Sequence, residues 1–374
     1  MNNDYQIILI GSGIVGLSIA KSLAENDFSS VLIIEKEETY GRGISSRNSE
    51  VIHSGVYYQK NSSKSRLCLD GNKKIYSFCE QYSIWHRRCG KLIIGHKDQH
   101  DLVHRLYKNA QENNVSEIKI LKKNEIPKYE KHIIGDIALY SGSTGIVSSH
   151  QLMDRLYNIS QNKLHDYLFK TLFLDSTKTQ NGYKTKLKNH SGQIETVTSD
   201  WVINCAGLHS DMINKNIPGI PAIYFSKGSY FKLSKKWTNI FNHLVYPIPD
   251  ENNKTLGIHL TIDRDGSAKL GPSAEELPNK EENYYVNENQ KSLFYNEAKK
   301  YIKNLSISDL QPDYSGIRPK LQSKNNALPD FYIKHEQDSG FSKWINLIGI
   351  ESPGLTASLA IGDYIVDIID KYLD

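Results

Sequence analysis

Several features that would direct an interpretation are scarce in this chain of 374 residues. It contains four cysteines, Cys68, Cys79, Cys89 and Cys205, and no two of them form a C-x-x-C pair. This pattern indicates a reduced intracellular protein without a cysteine-bound metal. No run of about 18 consecutive apolar residues is present, so the sequence predicts no transmembrane segment.

An excess of charge of one sign is also lacking, because 46 lysines and arginines stand against 42 aspartates and glutamates, a net charge of +4. A nucleic-acid-binding protein would show clustered basic charge, so no nucleic-acid partner is predicted. Apolar residues make up 39% of the chain, which excludes wholesale disorder. The first residues enter an apolar run without the regions of a secretory signal. We expect a cytoplasmic protein and leave open an attachment to the inner face of a membrane.

Motifs for two other kinds of chemistry are absent from the sequence, since it has neither a Gly-x-Ser-x-Gly elbow nor a P-loop. Three histidines, His96, His100 and His104, recur at every fourth residue and would share one helix face. A metal site needs a complete ligand set, whereas charged residues surround these three. The sequence therefore predicts a solvated helix face and no metal site.

The first positive signal is a β-α-β unit at the N-terminus. Residues 5–10 and 31–34 are short apolar runs, and the apolar residues between 15 and 23 recur at helical spacing. Short, fully apolar runs are typical of buried parallel strands. We expect a right-handed crossover that joins two neighbouring strands of one parallel sheet.

A glycine-rich turn of the form Gly-x-Gly-x-x-Gly joins the first strand to the helix at residues 11–16. Gly11 permits the tight turn, Gly13 lets a pyrophosphate approach the backbone, and Gly16 allows close helix–strand packing. The phosphates would lie at the positive end of the helix dipole. Glu35, at the end of the second strand, is placed to accept hydrogen bonds from a ribose. The pattern predicts a dinucleotide site rather than an empty turn, and it leaves FAD and NAD both open.

Later segments are of two kinds. Some continue the first unit, as a helix or as short buried strands: 150–161, 165–174, 201–204, 344–350 and the helix 354–372. Others are alternating and rich in aromatic residues, as in an antiparallel sheet: 222–233, 244–249 and 256–270.

These segments predict an α/β fold with an α+β second domain. The predicted Rossmann-like nucleotide-binding domain is discontinuous and comprises residues 1–88, 146–216 and 315–374. An antiparallel-sheet substrate domain, residues 89–145 and 217–314, would be inserted between these pieces.

Residues 41–58 are small, polar and glycine-rich and end in His-Ser-Gly-Val-Tyr-Tyr. This segment resembles the L-2-hydroxyglutarate dehydrogenase/oxidase family of the D-amino-acid-oxidase-like flavoproteins. Matching segments extend over nearly the whole chain: 89–92, 246–249, 256–261, 271–272 and 315–318. The resemblance implies FAD, the two-domain layout and oxidation of a small anionic 2-hydroxy acid, with L-2-hydroxyglutarate as the first candidate and 2-oxoglutarate as its product.

Two segments depart from that family. Residues 225–230 read Phe-Ser-Lys-Gly-Ser-Tyr where the family typically carries Phe-Arg-Gly-Glu-Tyr. Residues 349–356 replace a loop of the Pro-Ser-Pro-Ala type. Both departures leave the glutarate side chain of the substrate open.

The implied reaction needs a base for the hydroxyl proton, while a hydride leaves C2 for flavin N5. The resemblance places His53 beside the flavin, so it is the first candidate base, with a structural role as the alternative and His259 as its rival. Arg318 is the candidate clamp for a carboxylate because its planar fork binds two oxygens. Lys227 stands where the family has arginine and could supply a point charge. Tyrosine hydroxyls are further candidates, each with core packing as the alternative: Tyr57, Tyr230 and Tyr246.

Residues 349–356 lie between a predicted strand and a predicted helix. The first N–H groups of that helix could face the flavin pyrimidine edge and stabilise the charge of the reduced ring, the alternative being an ordinary turn. The cofactor-binding residues predicted from the turn and implied by the resemblance are Gly11, Gly13, Ile14, Val15, Gly16, Glu35, Lys36, Ser45, Ser46, Arg47, His53, Ser54, Gly55, Ala206, Gly207, Arg318, Gly349, Glu351, Gly354, Leu355 and Thr356.

Two other functions stay open. The same scaffold could oxidise an amine or amino acid, since hydride chemistry at Cα is similar and a fold does not decide function. A non-catalytic flavin-binding protein is the third interpretation, which His53, Arg318 and Lys227 argue against. The sequence leaves the electron acceptor open among oxygen, a quinone and a carrier protein.

Overall fold

The computed structural model describes residues 3–213, 216–249, 257–321 and 330–373. The start of the predicted strand 256–270 and short parts of both predicted domains lie outside these ranges.

The described residues form twenty β-strands. In chain order they are β1 (Tyr5–Ile10), β2 (Val31–Ile34), β3 (Val51–Ile52), β4 (His86–Arg87), β5 (Lys91–Gly95), β6 (Ile118–Lys122), β7 (Ile137–Ser141), β8 (Gly145–Val147), β9 (Asp166–Leu168), β10 (Leu172–Thr179), β11 (Gly182–Lys188), β12 (Ile194–Asn204), β13 (Ile223–Leu233), β14 (Leu244–Pro247), β15 (Leu260–Ile262), β16 (Ala268–Leu270), β17 (Glu275–Leu277), β18 (Leu310–Leu321), β19 (Tyr332–His335) and β20 (Trp344–Ile348).

The α-helices are α1 (Ile14–Glu25), α2 (Ser63–Gln81), α3 (His100–Glu112), α4 (Ile126–Tyr129), α5 (Ser149–Gln161), α6 (Lys291–Ala298) and α7 (Gly354–Asp370). Short 3-10 helices follow several strands, among them Ile44–Ser46 and Gly207–Met212.

The first sheet has the order β10-β11-β12-β1-β2-β9, and β20 pairs with β12 on one side and β19 on the other. Five neighbours in it are parallel: β20, β12, β1, β2 and β9. The predicted β-α-β unit is therefore confirmed, with α1 as the crossover. Helices α1 and α7 approach closely, because a Cβ on Gly362 would lie 2.5 Å from the Ser18 carbonyl oxygen.

One predicted strand is wrong, because residues 165–174 form two strands and not one. β9 pairs in parallel with β2, whereas β10 pairs antiparallel with β11. Lys170 lies between them with a φ of 52°, in the left-handed region that breaks an extended run. The N–H groups of Lys170 and Thr171 donate to the carbonyls of Glu37 and Glu35, which holds this turn against the end of β2.

The second sheet has the order β17-β13-β16-β15-β14-β5-β7-β6, with β18 paired along β13. Its pairs are antiparallel except β5 with β14, as the alternating segments predict. The predicted domain boundary at residue 315 falls inside β18, and the residues of β18 before and after this boundary both pair with β13. The predicted division into two domains stays a prediction. A small third sheet has the order β3-β8-β4. Its strands occur where the chain passes from one of the larger sheets to the other.

Candidate active site

A cavity of about 2280 Å³ opens where the parallel strands of the first sheet end. Residues that follow β1, β2, β12 and β20 all line it: Gly11, Glu35, Ala206 and Ile350. The opposite wall comes from the second sheet, through side chains of β13, β14 and β18. Ligands of open α/β sheets bind at the carboxyl ends of the strands, and the volume exceeds that of an ordinary pocket for one small molecule.

The glycine-rich turn is packed too closely for side chains. Gly11 has a φ of +101°, and a Cβ there would lie 2.7 Å from the Cys205 carbonyl oxygen. A Cβ on Gly16 would lie 2.1 Å from the Gly11 carbonyl oxygen, so α1 could not stay seated against β1. Gly13 caps α1 without a side-chain hydrogen bond. A pyrophosphate in the cavity could therefore approach the backbone at the N-terminus of α1 without meeting a side chain of the turn.

Glu35 lines the cavity at the end of β2 and is hydrogen-bonded to the glycine-rich turn. Its Oε2 accepts hydrogen bonds from the N–H and the hydroxyl of Ser12, both at 2.9 Å. Its Oε1 accepts from the Glu37 N–H at 3.0 Å. A carboxylate has about four lone-pair sites, so this role is compatible with the predicted contact to a ribose.

His53 lies at the cavity wall, on the loop after β3. Its N–H donates to Thr356 Oγ1 at 2.9 Å, and its carbonyl accepts from Asn72 Nδ2 at 2.9 Å. The ring nitrogen Nε2 lies 3.1 Å from Ser352 Oγ. Burial, the charge of Lys91 and then His259 lower the pKa of His53 to about 3. The imidazole is therefore neutral at physiological pH, which is the state a proton acceptor needs.

The N-terminus of α7 also faces the cavity. Gly354 and Leu355 line it, and Pro353 caps the helix without a side-chain hydrogen bond. Glu351 precedes the helix and is buried between two lysines, with Oε1 3.0 Å from Lys64 Nζ and Oε2 2.6 Å from Lys320 Nζ. Burial alone would raise the pKa of Glu351, but the two lysines hold it below its usual value. One carboxylate between two ammonium groups gives this cluster of three side chains a net positive charge.

Arg318 lines the cavity from β18, where Nη2 donates to the Ser273 carbonyl at 2.6 Å. Lys227 lies elsewhere, because its neighbours Ser226 and Gly228 line the cavity and side chains alternate along β13. Lys227 is buried and reaches the site only through its carbonyl, which accepts from Arg318 Nη2 at 3.4 Å. This position does not support the prediction that Lys227 meets the substrate.

Aromatic residues complete the wall formed by the second sheet. The rings of Tyr246 and His259 stack with centroids 3.6 Å apart, and both line the cavity. Tyr57 and Tyr230 line it too, and Tyr230 stacks on Tyr314 at 4.5 Å. His259 and His53 therefore share one cavity, and the choice of base between them stays a prediction.

The structure brings most of the predicted residues to this cavity. Those lining it are Gly11, Gly13, Ile14, Val15, Glu35, Lys36, Ser45, Arg47, His53, Tyr57, Ala206, Gly207, Tyr230, Tyr246, His259, Arg318, Glu351, Gly354 and Leu355. Outside the lining are Gly16, Ser46, Ser54, Gly55, Lys227, Gly349 and Thr356. Gly16 and Thr356 still act on it, the first by seating α1 and the second by holding the His53 backbone.

Four residues near the site are not among the predicted ones. Lys64 and Lys320 pair with Glu351, Ser352 contacts His53, and Lys91 is buried behind the aromatic wall. Ser352 precedes Pro353 in the turn before α7, and that position is the available sequence signal. The two lysines come from separate elements, so no local pattern reveals them.

No group of three histidine, cysteine or acidic side chains suited to a metal ion occurs among the described residues. Within the same ranges, no helix is both long enough and apolar enough to cross a membrane.

The closely packed glycines, the N-termini of α1 and α7 at the cavity wall and the large shared cavity define a dinucleotide-dependent redox enzyme. The chain belongs to the family of FAD-dependent oxidoreductases, whose model matches residues 6–368. The cofactor is FAD, as the resemblance implies, and the predicted fold class is confirmed.

Curated relatives span nearly the whole chain. The mitochondrial L-2-hydroxyglutarate dehydrogenase of Arabidopsis thaliana is 33% identical over 403 residues, covering 96% of this chain and 82% of that protein. The L-2-hydroxyglutarate dehydrogenase of Escherichia coli K12 is 29% identical, with 99% and 94% covered. The human mitochondrial enzyme of that name is 27% identical, with 99% and 89% covered.

Solved structures share the fold at lower identity. The L-α-glycerophosphate oxidase of Mycoplasma pneumoniae with FAD bound has a TM-score of 0.86 and 20% identity, covering 98% of this chain and 94% of that one. A glycine oxidase from Geobacillus kaustophilus has a TM-score of 0.81 and 17% identity, with 99% and 95% covered. These likenesses extend to the fold alone, since the two enzymes are named for an alcohol and an amine substrate.

Proposed function

We propose that this flavoenzyme oxidises L-2-hydroxyglutarate to 2-oxoglutarate. The observation that carries the proposal is the convergence of His53 and Arg318 on one cavity with the dinucleotide cradle. The choice of substrate rests on relatives named L-2-hydroxyglutarate dehydrogenase, which match nearly the whole chain. FAD, when bound, accepts the hydride from C2 of the substrate.

The residues of the chain bind the substrate and move its proton. Arg318 holds a carboxylate through its guanidinium, which the Ser273 carbonyl fixes on β18. His53 accepts the hydroxyl proton at Nε2, next to the Ser352 hydroxyl. A neutral imidazole can take this proton, and the lowered pKa of His53 keeps it neutral before the reaction.

The second sheet and α7 provide the rest of the site. The stacked rings of Tyr246 and His259 exclude water from one wall. The N-terminus of α7 supplies positive dipole charge where the cofactor becomes negative on reduction. The Lys64–Glu351–Lys320 cluster adds a net positive charge that favours an anionic substrate with a second carboxylate.

Oxidation of an amine or amino acid is the second candidate, favoured by the fold it shares with glycine oxidase. An amine substrate has no hydroxyl proton to give up, so the presence of His53 in the same cavity as Arg318 argues for the hydroxy acid.

An anaerobic spectral titration of the purified holoenzyme tests this proposal. We expect L-2-hydroxyglutarate to bleach the oxidised flavin band, and its D-enantiomer, glycine and L-proline to leave it unchanged. Bleaching by an amino acid alone would replace the hydroxy acid with the second candidate. A flavin spectrum that none of them changes would refute the proposed substrate. The reduced enzyme can then be mixed with oxygen, a quinone or a carrier protein to identify the acceptor.

A further inference from the structure

Lys91 is a completely buried lysine beside the active-site cavity. Its side chain has no exposed area, and Nζ has no hydrogen-bond partner within the described part of the chain. An unpaired ammonium group in the interior is costly. Burial therefore lowers the pKa of Lys91 to about 7. This lysine is consequently a group that changes its charge near neutral pH.

The surroundings of Lys91 connect it to the site. Nζ lies 4.7 Å from the ring centroid of Tyr57 and 4.6 Å from that of Tyr246, and both rings line the cavity. Two more buried polar atoms lack a partner among the described residues, the Tyr57 hydroxyl and His53 Nδ1. Lys91 and two residues of the cavity wall thus each have a buried polar atom without a partner, whereas most buried polar atoms in proteins are paired.

The charged and titratable groups that face Lys91 come from several elements. His53 and Tyr57 lie on the loop after β3, and Cys68 lies on α2. Tyr246 comes from β14 with His259 stacked on it. β7 adds the uncharged Ser141, which pairs with Lys91 in the sheet.

Among these groups, His53 is the one whose protonation matters for the reaction. After burial, the charge of Lys91 is the largest cause that lowers the pKa of His53. The two groups therefore oppose each other's positive charge across a low-dielectric wall. Lys91 lies behind Tyr57 and Tyr246 and outside the cavity lining, so it acts on the substrate proton only through His53.

We propose that Lys91 is a positioning residue that controls the proton affinity of His53. A charged Lys91 opposes transfer of the substrate's hydroxyl proton to His53. When Lys91 has released its own proton to solvent, the transfer becomes favourable. This inference rests on the proposed function, because it needs a substrate that gives a proton to His53.

The test compares Lys91→Met, which is neutral at every pH, with Lys91→Arg, which is always charged. Flavin reduction by L-2-hydroxyglutarate is followed anaerobically in stopped flow from about pH 6 to about pH 9. We expect the rate of the unmodified enzyme to rise about tenfold as pH passes 7, one pKa unit of coupling being a factor of ten. Lys91→Met should lose this rise and react fast already at the acidic end. Lys91→Arg should react slowly throughout.

A binding measurement reports the charge of Lys91 without turnover. Glutarate has no hydroxyl to oxidise, and its binding is read from the perturbed flavin absorbance. We expect the affinity of the unmodified enzyme for this dianion to fall severalfold as Lys91 loses its charge near pH 7. Lys91→Met should show a smaller fall over the same range. If Lys91 were merely structural, Lys91→Met would show the same pH dependence as the unmodified enzyme, both for the rate of flavin reduction and for the affinity for glutarate.

Lys119→Met is the matched control. Lys119 lies in the same sheet with Nζ 5.0 Å from the Tyr129 ring centroid and 5.4 Å from that of Tyr140, and it is outside the cavity lining. This variant should keep both profiles of the unmodified enzyme. FAD content and melting temperature check each variant. If Lys91→Arg loses FAD, the comparison with Lys91→Met decides alone.

Two results would overturn the proposal: a Lys91→Met enzyme that keeps the rise near pH 7, or one that reacts no faster than the unmodified enzyme at acidic pH. Failure of the proposed function looks different. In that case L-2-hydroxyglutarate does not reduce even the unmodified enzyme. The pH dependence of glutarate binding then decides whether Lys91 changes its charge near pH 7. The same pH dependence in Lys91→Met and the unmodified enzyme would refute this change of charge, and a difference would support it.

Discussion

His53 and Ser352 contact each other across 299 residues of sequence, with Nε2 of the imidazole 3.1 Å from the serine Oγ. The contact joins the loop after β3 to the turn before α7. The same helix holds the His53 backbone, because Thr356 Oγ1 accepts the His53 N–H at 2.9 Å. The position of the candidate base is therefore set by the helix whose N-terminus faces the cofactor site.

We expect His53→Gln to lower the rate of flavin reduction by about 10²–10⁴-fold, the usual contribution of a positioned base. FAD should stay bound, since the glycine cradle and α1 are unchanged. Stopped-flow reduction and the flavin spectrum of the purified variant measure the two quantities. Ser352→Ala removes the contact but keeps the imidazole, so its loss should be smaller. Equal rates for His53→Gln and the unmodified enzyme would transfer the role of base to His259.

Arg318→Lys should raise the KM for L-2-hydroxyglutarate by about 10–100-fold, because a lysine ammonium does not reproduce the two parallel hydrogen bonds of a guanidinium. The kcat should change less, since the contact is present in both ground and transition states. Steady-state kinetics with a saturating acceptor separate these constants. An unchanged KM would show that the carboxylate binds elsewhere, and Lys64 and Lys320 would be the next candidates.

Glu351→Gln should destabilise the fold by about 3–5 kcal/mol, because it leaves Lys64 and Lys320 without their buried partner. Glu297→Gln is the control, since its ion pair with Lys300 is exposed and should contribute about 0–1 kcal/mol. Urea unfolding of the FAD-loaded enzymes measures both.

The same carboxylate predicts a pH dependence of stability. Its folded pKa lies below the usual value, so Glu351 stabilises the fold above the unfolded pKa of about 4.3. This contribution is lost as pH falls through the folded pKa. Unfolding free energies of the unmodified enzyme and Glu351→Gln should therefore converge toward acidic pH. A constant difference would mean that the charge of Glu351 is not what stabilises the cluster.

The parts of the structure that could be predicted from sequence depend on local signals. The periodicity of residues 5–34 and the spacing of Gly11, Gly13 and Gly16 predict a β-α-β unit and a dinucleotide site without reference to distant residues. The split of the predicted strand 165–174 was missed because Lys170 adopts a left-handed conformation without being glycine. No sequence signal marks that choice.

The missed side chains depend on tertiary arrangement. Lys64 and Glu351 are 287 residues apart, so their ion pair exists only once α2 and the turn before α7 meet. Alternation along β13 predicts that Ser226 and Lys227 face opposite sides, but the face that meets the cavity is decided by the packing of β13. Lys91 is the first residue of a strand that is otherwise apolar, and its complete burial depends on the tertiary packing around it.

Gly16→Ala should abolish FAD binding while Ser18→Ala, in the same helix, should not. A Cβ on Gly16 would lie 2.1 Å from the Gly11 carbonyl oxygen, which is a backbone atom and cannot rotate away as the end of a side chain could. α1 must then shift away from β1, which carries its N-terminal N–H groups away from the pyrophosphate position. Ser18 Oγ is buried without a partner among the described residues, so removing it should cost little.

The ratio of flavin absorbance to protein absorbance, measured after purification and again after incubation with excess FAD, checks this prediction. Circular dichroism of both variants separates loss of the cofactor from loss of the fold. A Gly16→Ala enzyme that retains stoichiometric FAD would mean that the turn relaxes by more than the packing of Gly11 against Cys205 allows. In that case the pyrophosphate would be held chiefly by groups outside the glycine-rich turn, and the N-terminus of α1 would have a smaller part in binding than its geometry indicates.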